Sequence, residues 1–575
     1  MKKISLQEWV YKMQSVVLRF TFPVFFILGL SVLFFIQINQ NDADIKERLW
    51  IFFGLAIPLS IALTLFSEEF KNKILRVGIN LSGTAILAIY AFTLPEKLFE
   101  FHYYQVFTFG IAFVLCSFVV SFFRKENDIS FWEFSKTTVL QLIISSVFSQ
   151  VLMMGLSLAV LSLDKLFNIN ISEKVYGNIA VICYAVFAPV YFLANVPDEI
   201  EKHKQEFKYD KFLKILGLYI MLPILALYTI ILYVYAIRIV AKWELPNGWV
   251  TWLVSVLALG GFLCMMIVYP LRLQTNKIAV FVSRFFPVIL LPLLILMTVG
   301  IFRRLDDYGL TINRAYVFLL NFWLYGICIY LFLSHSKQLK WIFITFSAIA
   351  YLSALGPWSV FKVTKNNMLN QIEVLLSENN YLKDGKIIQQ SDIKSLQTDK
   401  KAKELLSAKV DYLVKNFGSE AIQPLFSDDV KDLTAFKILN RMNLETNYMF
   451  SGDKKFYNIQ QNKETKSIDI QLYSKMFTLE LQNKKFVLND SIYNISFENE
   501  VIIILNKNSN KVYGRISLKE KLAELTKKED LQEFAQEQLT IEKDNIKLII
   551  ETINAQRKNN DSLEITDFKA ILLIK

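Results

Sequence analysis

Long runs of apolar residues, separated by short polar segments, fill the first 360 residues of the chain. A bilayer core about 30 Å thick needs about 20 apolar residues in a helix, because hydrocarbon offers no partner to a free backbone group. The pattern therefore predicts a polytopic α-helical membrane domain over residues 1–360, with about eleven transmembrane helices and a range of ten to twelve. The runs lie at roughly residues 20–38, 49–66, 76–94, 103–123, 137–163, 176–196, 212–236, 250–269, 278–302, 315–334 and 341–360.

After Val360 the spacing of apolar residues changes, which indicates a separate soluble domain over residues 361–575. Apolar positions three and four residues apart predict helices within residues 363–443. Alternating apolar and polar positions predict a β-meander over residues 455–518 and closing strands over residues 545–573. A helical pattern returns between these two stretches, at residues 519–538. We therefore expect an α+β domain.

The composition excludes a wholly soluble protein. Apolar residues make up 54% of the chain and charged residues only 20%, which is more apolar surface than an aqueous globule can bury. Of the formal net charge of +11, the first 360 residues carry +9 and the remainder carries +2. Excess Lys and Arg beside membrane spans is typical of cytoplasmic loops, so we do not expect a nucleic acid among the partners.

The distribution of Lys and Arg between alternate loops predicts the orientation of the chain. The amino-terminal tail and the even-numbered loops carry 18 of these residues, whereas the odd-numbered loops carry 10. Because positive loops are retained in the cytoplasm, we predict a cytoplasmic amino terminus in the bacterial inner membrane. Eleven crossings would then place the α+β domain outside the cytoplasm, and an even number would reverse that side.

Residues with catalytic or metal-binding chemistry are sparse and scattered. The three His, at positions 102, 203 and 335, and the four Cys, at positions 116, 183, 264 and 328, have no metal-ligand spacing. The sequence also lacks a glycine-rich phosphate-binding loop. We therefore predict no cofactor, no metal site and no catalytic residue, and we lean against an enzyme.

An Arg-rich segment between the ninth and tenth runs is the first candidate binding site. It places three Arg on the side predicted to be poor in positive charge, and a planar guanidinium group suits a lipid headgroup, another anion or a protein carboxylate. The alternative is a loop held by its own salt bridges, or one that docks the α+β domain. The candidate residues are Arg303, Arg304, Asp306, Asp307, Tyr308, Thr311, Asn313 and Arg314.

A second candidate on the same predicted side is an aromatic turn between the seventh and eighth runs. Its Pro246 and Asn247-Gly248 favour a tight turn, and its two Trp side chains suit the membrane interface. A plain interfacial hairpin is the alternative. The candidate residues for binding a lipid or protein partner are Trp243, Glu244, Asn247 and Trp249.

These two loops, together with the Gly356-Pro357-Trp358 exit from the last run, resemble the bacterial integral-membrane family known as domain of unknown function 4153. The matching stretches are Trp243 to Trp249 and Asp307-Tyr308-Gly309-Leu310-Thr311 with Arg314. The resemblance covers most of residues 1–360. It implies a polytopic envelope protein without an assigned activity, so no catalytic residue carries over.

Three functions remain open, and the first is preferred: a membrane-anchored platform that binds an envelope protein or lipid through its outward loops and its carboxy-terminal domain. The second is a transporter or lipid-handling protein for a neutral or lipid-like solute, because the spans contain prolines but almost no ionisable residues. The third is a lipid-linked sugar transferase that uses Asp42 and Asp44, although their loop of about ten residues is short for such a site.

Overall fold

A computed structural model of the chain confirms a helical membrane domain followed by an α+β domain. The chain divides into two compact units, one of Met1–Gln371 with Lys415–Gly418 and one of Ile372–Val414 with Ser419–Lys575. The structure describes residues 14–40, 45–123, 128–203, 209–242, 249–333, 338–378, 381–383, 385–387, 400–442, 456–461, 470–481, 487–498, 500–509, 511–527, 533–543, 545–557 and 563–575.

The helices of the first unit follow the predicted apolar runs. They are α1 (Thr21–Asn39), α2 (Glu47–Ser67), α3 (Lys73–Thr93), α4 (Glu100–Val119), α5 (Asp128–Phe167), α6 (Glu173–Ala180), α7 (Ala188–Ala194), α8 (Lys211–Ile215), α9 (Leu222–Lys242), α10 (Trp249–Leu273), α11 (Lys277–Tyr308), α12 (Ile312–Leu333), α13 (Lys340–Ala354) and α14 (Val360–Glu378), of which the last contains the boundary between the units.

Ten helical segments among the described residues are long and apolar enough to cross a membrane. The eleventh predicted span is α13, which has only 15 residues and rises about 22 Å. This length is short of a bilayer core of about 30 Å. The predicted count of eleven spans depends on this short helix, and the side assigned to the α+β domain stays a prediction.

Two of the spans contain a wide π-helical turn directly before a proline. In the sixth span, Val181–Phe187 joins α6 to α7 and precedes Pro189, and in the seventh, Leu216–Met221 joins α8 to α9 and precedes Pro223. A proline in a helix lacks the N–H that bonds four residues back, and its ring crowds the carbonyl there. The wider turn absorbs this mismatch, so both prolines lie in continuous spans rather than at breaks.

Side chains on neighbouring helices bond to carbonyls of these wide turns. The Ser149 hydroxyl of α5 donates to the Cys183 carbonyl, and the Cys264 thiol of α10 donates to the Gly217 carbonyl at 3.7 Å. Elsewhere the helices approach closely through small residues. A Cβ on Gly261 would lie 1.8 Å from the Phe286 ring, so that α10 packs directly against α11.

Among its described residues, the second unit contains three further α-helices, of which the first ends in the first unit, and two main sheets. The helices are α15 (Lys400–Phe417), α16 (Ala435–Arg441) and α17 (Leu518–Lys527). The strands are β1 (Leu382–Lys383), β2 (Lys386–Ile387), β3 (Phe456–Gln461), β4 (Lys475–Glu480), β5 (Val487–Asn489), β6 (Tyr493–Glu498), β7 (Val501–Asn506), β8 (Lys511–Ser517), β9 (Glu533–Phe534), β10 (Thr540–Lys543), β11 (Ile546–Arg557) and β12 (Leu563–Ile574).

The order of the strands differs from a single meander followed by closing strands. Strands β5 to β8 form the antiparallel meander, but β3 and β4 join the carboxy-terminal hairpin in a sheet of order β4-β12-β11-β3-β9, in which β10 also pairs with β11. Within the helix predicted at residues 519–538, the structure has helix α17 up to Lys527. Further along, Glu533–Phe534 form strand β9 instead of helix. Phe534 is buried in the core of this unit, so burial in the sheet outweighs the local helical pattern.

Candidate functional site

A cluster of charged side chains is buried where several helix ends of the first unit meet. Arg19 lies two residues before α1, Glu68 and Glu69 follow α2, and Ser121 lies in the turn after α4. The connection after α7 supplies the remaining members from residues 196–203, a segment that we call the strap. Because these side chains bond to one another, all of these helix ends lie at the same end of the bundle, which the charge count predicts to be cytoplasmic.

Arg19 forms hydrogen bonds with both Glu68 and the strap. Its Nε and Nη2 donate to the two carboxylate oxygens of Glu68 at 2.7 and 3.2 Å. Its Nη1 and Nη2 also donate to the carbonyl oxygens of Val196 and Pro197 at 2.9 and 2.8 Å. The planar guanidinium fork thus satisfies the carboxylate and two backbone groups at once, a geometry that a lysine could not reproduce.

Lys202 is the most deeply buried cation of the cluster, with 1% of its surface exposed. Its Nζ lies 2.9 Å from Glu68 Oε2 and 3.0 Å from Glu69 Oε1. It also donates to the Leu65 carbonyl in the last turn of α2 and to the Ser121 hydroxyl, both at 3.3 Å. A buried ammonium group is tolerated only when paired in this way, and the carbonyl end of a helix favours a positive charge.

His203 lies beside Lys202 and shares one of its partners. Its Nε2 is 2.8 Å from Glu69 Oε1, the same oxygen that Lys202 contacts. The imidazole ring meets the Phe122 ring edge to face, with 5.5 Å between the ring centroids. Lys340, at the start of α13, donates to the Phe122 carbonyl at 3.3 Å. The eleventh predicted run therefore begins at the same end of the bundle.

A third cation, Arg76 of α3, holds the outer part of the strap. Its Nη2 lies 3.1 Å from Glu199 Oε1, and it also donates to the carbonyl oxygens of Phe70 and Glu68. Within the strap, Asp198 Oδ1 accepts the backbone N–H groups of Ile200 and Glu201 at 3.0 and 2.7 Å. The strap is therefore a defined turn that is bonded to α2, α3 and Arg19.

An open cleft of about 660 Å³ lies against this cluster. Four carboxylates and only two basic side chains line it, so its wall is acidic. Among the residues that the structure describes, no group of three or more His, Cys, Asp or Glu could hold a metal ion. The lining residues are Glu68, Glu69, Lys71, Asp198, Glu199, Ile200 and His203.

The predicted Arg-rich segment is a helix end, a glycine turn and a helix start. Arg303 and Arg304 are exposed in the last turns of α11, where Asp306, Asp307 and Tyr308 complete the helix. Gly309 has φ 79° and ψ 179°, and its N–H donates to the Leu305 carbonyl at 2.8 Å.

Beyond Gly309 the chain enters α12 at once. The Thr311 carbonyl accepts the Ala315 N–H, and Asn313 is exposed. The Arg314 Nη1 donates to the Gly309 carbonyl at 2.8 Å. This bond gives Arg314 a local bracing role, as in the alternative in which the loop is held by its own contacts.

The second candidate loop lies almost entirely outside the described residues. Trp243, Glu244 and Asn247 lie outside the described residues, as do Asp42 and Asp44. Trp249 begins α10, and only its backbone is described. These residues stay predictions.

Sequence reasoning missed the ionic cluster because its members lie far apart in the chain. From the sequence, Arg19 is interpreted as a residue near a helix end whose side chain extends to the membrane interface. Lys202 is interpreted as one of the positive charges of a cytoplasmic loop. One signal was present: the pairs Glu68-Glu69 and Asp198-Glu199 place four carboxylates in loops that otherwise carry the basic excess. Acidic pairs in positive loops are therefore a useful indication of buried ion pairing.

Comparison with known proteins gives a family but no activity. The family model described as domain of unknown function (DUF4153) matches residues 24–384, a stretch that contains the whole cluster except Arg19. An uncharacterized protein of Pasteurella multocida (strain Pm70) is 25% identical over 383 residues, which cover 66% of this chain and 62% of that protein. No solved structure matches the chain.

Proposed function

The chain belongs to the DUF4153 family, and from that premise we propose that it is a membrane-anchored platform that binds a protein or lipid partner through its outward loops and its α+β domain. The helical domain would hold the chain in the inner membrane, and the α+β domain would present the main binding surface to an envelope protein. The observation that carries this proposal is a set of exposed apolar side chains in and just before an outer strand of the larger sheet.

Three exposed apolar side chains lie in β4 or within five residues before it, a segment that we call the β4 edge. Ile470, Leu472 and Met476 are 53%, 73% and 58% exposed. The backbone beneath them is held in place: Tyr473 N–H donates to the Ile470 carbonyl, and Ser474 N–H donates to Ile574 of the neighbouring strand. Apolar side chains that a rigid backbone keeps exposed are typical of binding sites.

The position of β4 in the sheet supports the same conclusion. On one side β4 pairs with β12, and among the residues that the structure describes no strand pairs with its other side. Outer strands present free backbone donors and acceptors that a partner segment can use. A protein partner would thus gain both apolar contacts and backbone hydrogen bonds.

Purification of the full-length chain from native membranes tests the platform. Leu472→Asp should weaken retention of a co-purifying envelope protein by about 30-fold, the effect of losing a contact worth about 2 kcal/mol. Val512→Asp is the matched control, because Val512 is also an exposed apolar side chain, at 45%, but belongs to β8 of the other sheet. Equal retention by both variants, or a wild-type chain without any partner, would contradict the proposal.

A second candidate function, transport of a neutral or lipid-like solute, is favoured by the wide turns in the sixth and seventh spans. Wide π turns recur at functional sites, and here they make both spans locally irregular without breaking them. With a fluorescent phospholipid in liposomes as the probe, Pro189→Ala and Pro223→Ala should slow transfer. Pro58→Ala should not, because Pro58 lies inside the regular helix α2. Unchanged transfer in both test variants would remove this candidate.

A further inference from the structure

Apart from the buried Val196 and the contact of His203 with the Phe122 ring, the strap is attached to the rest of the first unit through charged groups. Arg19 holds its beginning at Val196 and Pro197, Arg76 holds Glu199, and Lys202 anchors its end on Glu68 and Glu69. Three cations thus face three carboxylates. The formal charges of these six groups therefore balance.

Such an attachment can open without a large change in free energy. The desolvation cost of a buried ion pair nearly cancels the attraction between its charges, whereas apolar packing is lost outright when surfaces separate. Water also has a route to the pairs, because Glu68, Glu69, Glu199 and His203 line the open cleft. When water enters, the charged groups become hydrated, and the strap can separate from Glu68, Glu69 and Arg76.

The strap also joins the two spans whose helices are least regular. It follows α7 and thereby continues the sixth span, whose π turn includes the fully buried Cys183. On its far side, past residues 204–208, the seventh span begins with α8 and its own π turn. A wide turn can convert to regular helix by moving one residue, which makes these spans suited to shift when their connection is released.

We propose that the strap is an ionic latch. While Lys202 and Arg19 are paired with Glu68, the latch holds the end of the sixth span against α2, and when these pairs open, the sixth span moves and its π turn becomes accessible. This inference goes beyond the platform proposal. It concerns the helical unit alone and is tested without any partner.

Lys202→Met in the full-length chain, reconstituted in lipid nanodiscs, is the central test. Hydrogen exchange in the strap should rise at least about tenfold, while exchange in α10 to α12 stays within about twofold of the wild type. In a chain that retains Cys183 as its single cysteine, labelling by N-ethylmaleimide should rise by a similar factor. Lys136→Met is the matched control, because Lys136 forms its ion pair with Glu133 within α5 and not with a strap residue, and it should change neither rate.

The two readouts separate a latch from a purely structural contact. Uniformly faster exchange throughout the helical unit, or no change in Cys183 labelling, would overturn the latch. If Lys202→Met cannot be recovered from membranes, Glu199→Gln decides, since Glu199 is half exposed and its loss removes only the bond to Arg76. A local rise of about threefold in strap exchange would support the latch, and an unchanged rate would overturn it.

Discussion

The helical domain contains two concentrations of charged residues that differ in where their partners lie. In the ionic cluster, the hydrogen-bonded partners of Arg19 and Lys202 are 49 to 178 residues away in the sequence, as in Arg19 with Glu68 and with Pro197. In the Arg-rich turn, Arg314 bonds to a carbonyl only five residues away. The first therefore specifies how helices are arranged, whereas the second shapes one turn between adjacent helices. Similar residue types thus have different structural roles, which depend on how far away in the sequence their partners lie.

The largest effect should come from the carboxylate at the centre of the cluster. Glu68→Ala leaves both Arg19 and the buried Lys202 without their shared partner, and an uncompensated buried charge costs about 3–5 kcal/mol. We expect a clear fall in the thermal unfolding midpoint of the full chain in detergent. Glu199→Ala, at the half-exposed edge of the same strap, is the control and should cost much less. Equal unfolding midpoints for the two variants would show that the buried pairs contribute no more to stability than the half-exposed pair.

A smaller effect is expected at the glycine of the Arg-rich turn. Gly309 has φ 79° and ψ 179°, a conformation that is essentially restricted to glycine, so Gly309→Ala should cost about 1–3 kcal/mol. Gly326→Ala provides the control, because Gly326 lies in α12 and a Cβ there would meet no atom within 4 Å. That variant should leave the unfolding midpoint unchanged or raise it. An unchanged unfolding midpoint in Gly309→Ala would show that the turn does not require a glycine.

An ion pair of the second unit shows how a local surface contact responds to pH. Lys475 hydrogen-bonds Asp490 and lowers the pKa of that carboxyl from its usual 3.8 to about 2. Because the folded pKa lies below the unfolded one, the contribution of Asp490 to stability is present above about pH 4 and is lost as the pH falls towards 2. In Asp490→Asn, acid unfolding followed by circular dichroism should begin from a lower stability and depend less steeply on pH in this range. An identical pH profile would contradict the pairing.

Much of the fold could be predicted because its determinants are local. A run of about 20 apolar residues is sufficient to predict a span, and a two-residue period predicted the β5 to β8 meander. The assignment of β3 and β4 to the sheet of β11 and β12 could not be predicted, since strand partners about 90 residues apart leave no mark on the spacing of either strand. The wide turns had a partial signal in Pro189 and Pro223, but whether a proline breaks or widens a helix depends on the packing around it.

The two charged regions were predictable to different degrees for the same reason. The Arg-rich turn is visible in twelve consecutive residues, and Gly309 could be read as its turning point. The cluster joins Arg19, Glu68, Arg76, Glu199 and Lys202 only after six spans have packed. A count of positive charges in loops records only Arg76 and Lys202, each as a separate loop residue. Pairing across helices is a property of the packed bundle, which the one-dimensional pattern does not contain.

The smallest effect on stability is expected at Arg304, and its result bears most directly on function. Arg304 is exposed near the end of α11, so Arg304→Ala should change the free energy of unfolding by no more than about 0.5 kcal/mol. If the turn binds an anionic headgroup as predicted, the same variant should lose binding to vesicles containing phosphatidylglycerol, measured as salt-sensitive flotation of the nanodisc-embedded chain. Arg238→Ala serves as the control, because Arg238 belongs to α9 and not to the turn. Loss of binding without loss of stability would give the turn a role beyond its local shape, whereas unchanged binding would contradict an anion site at Arg304.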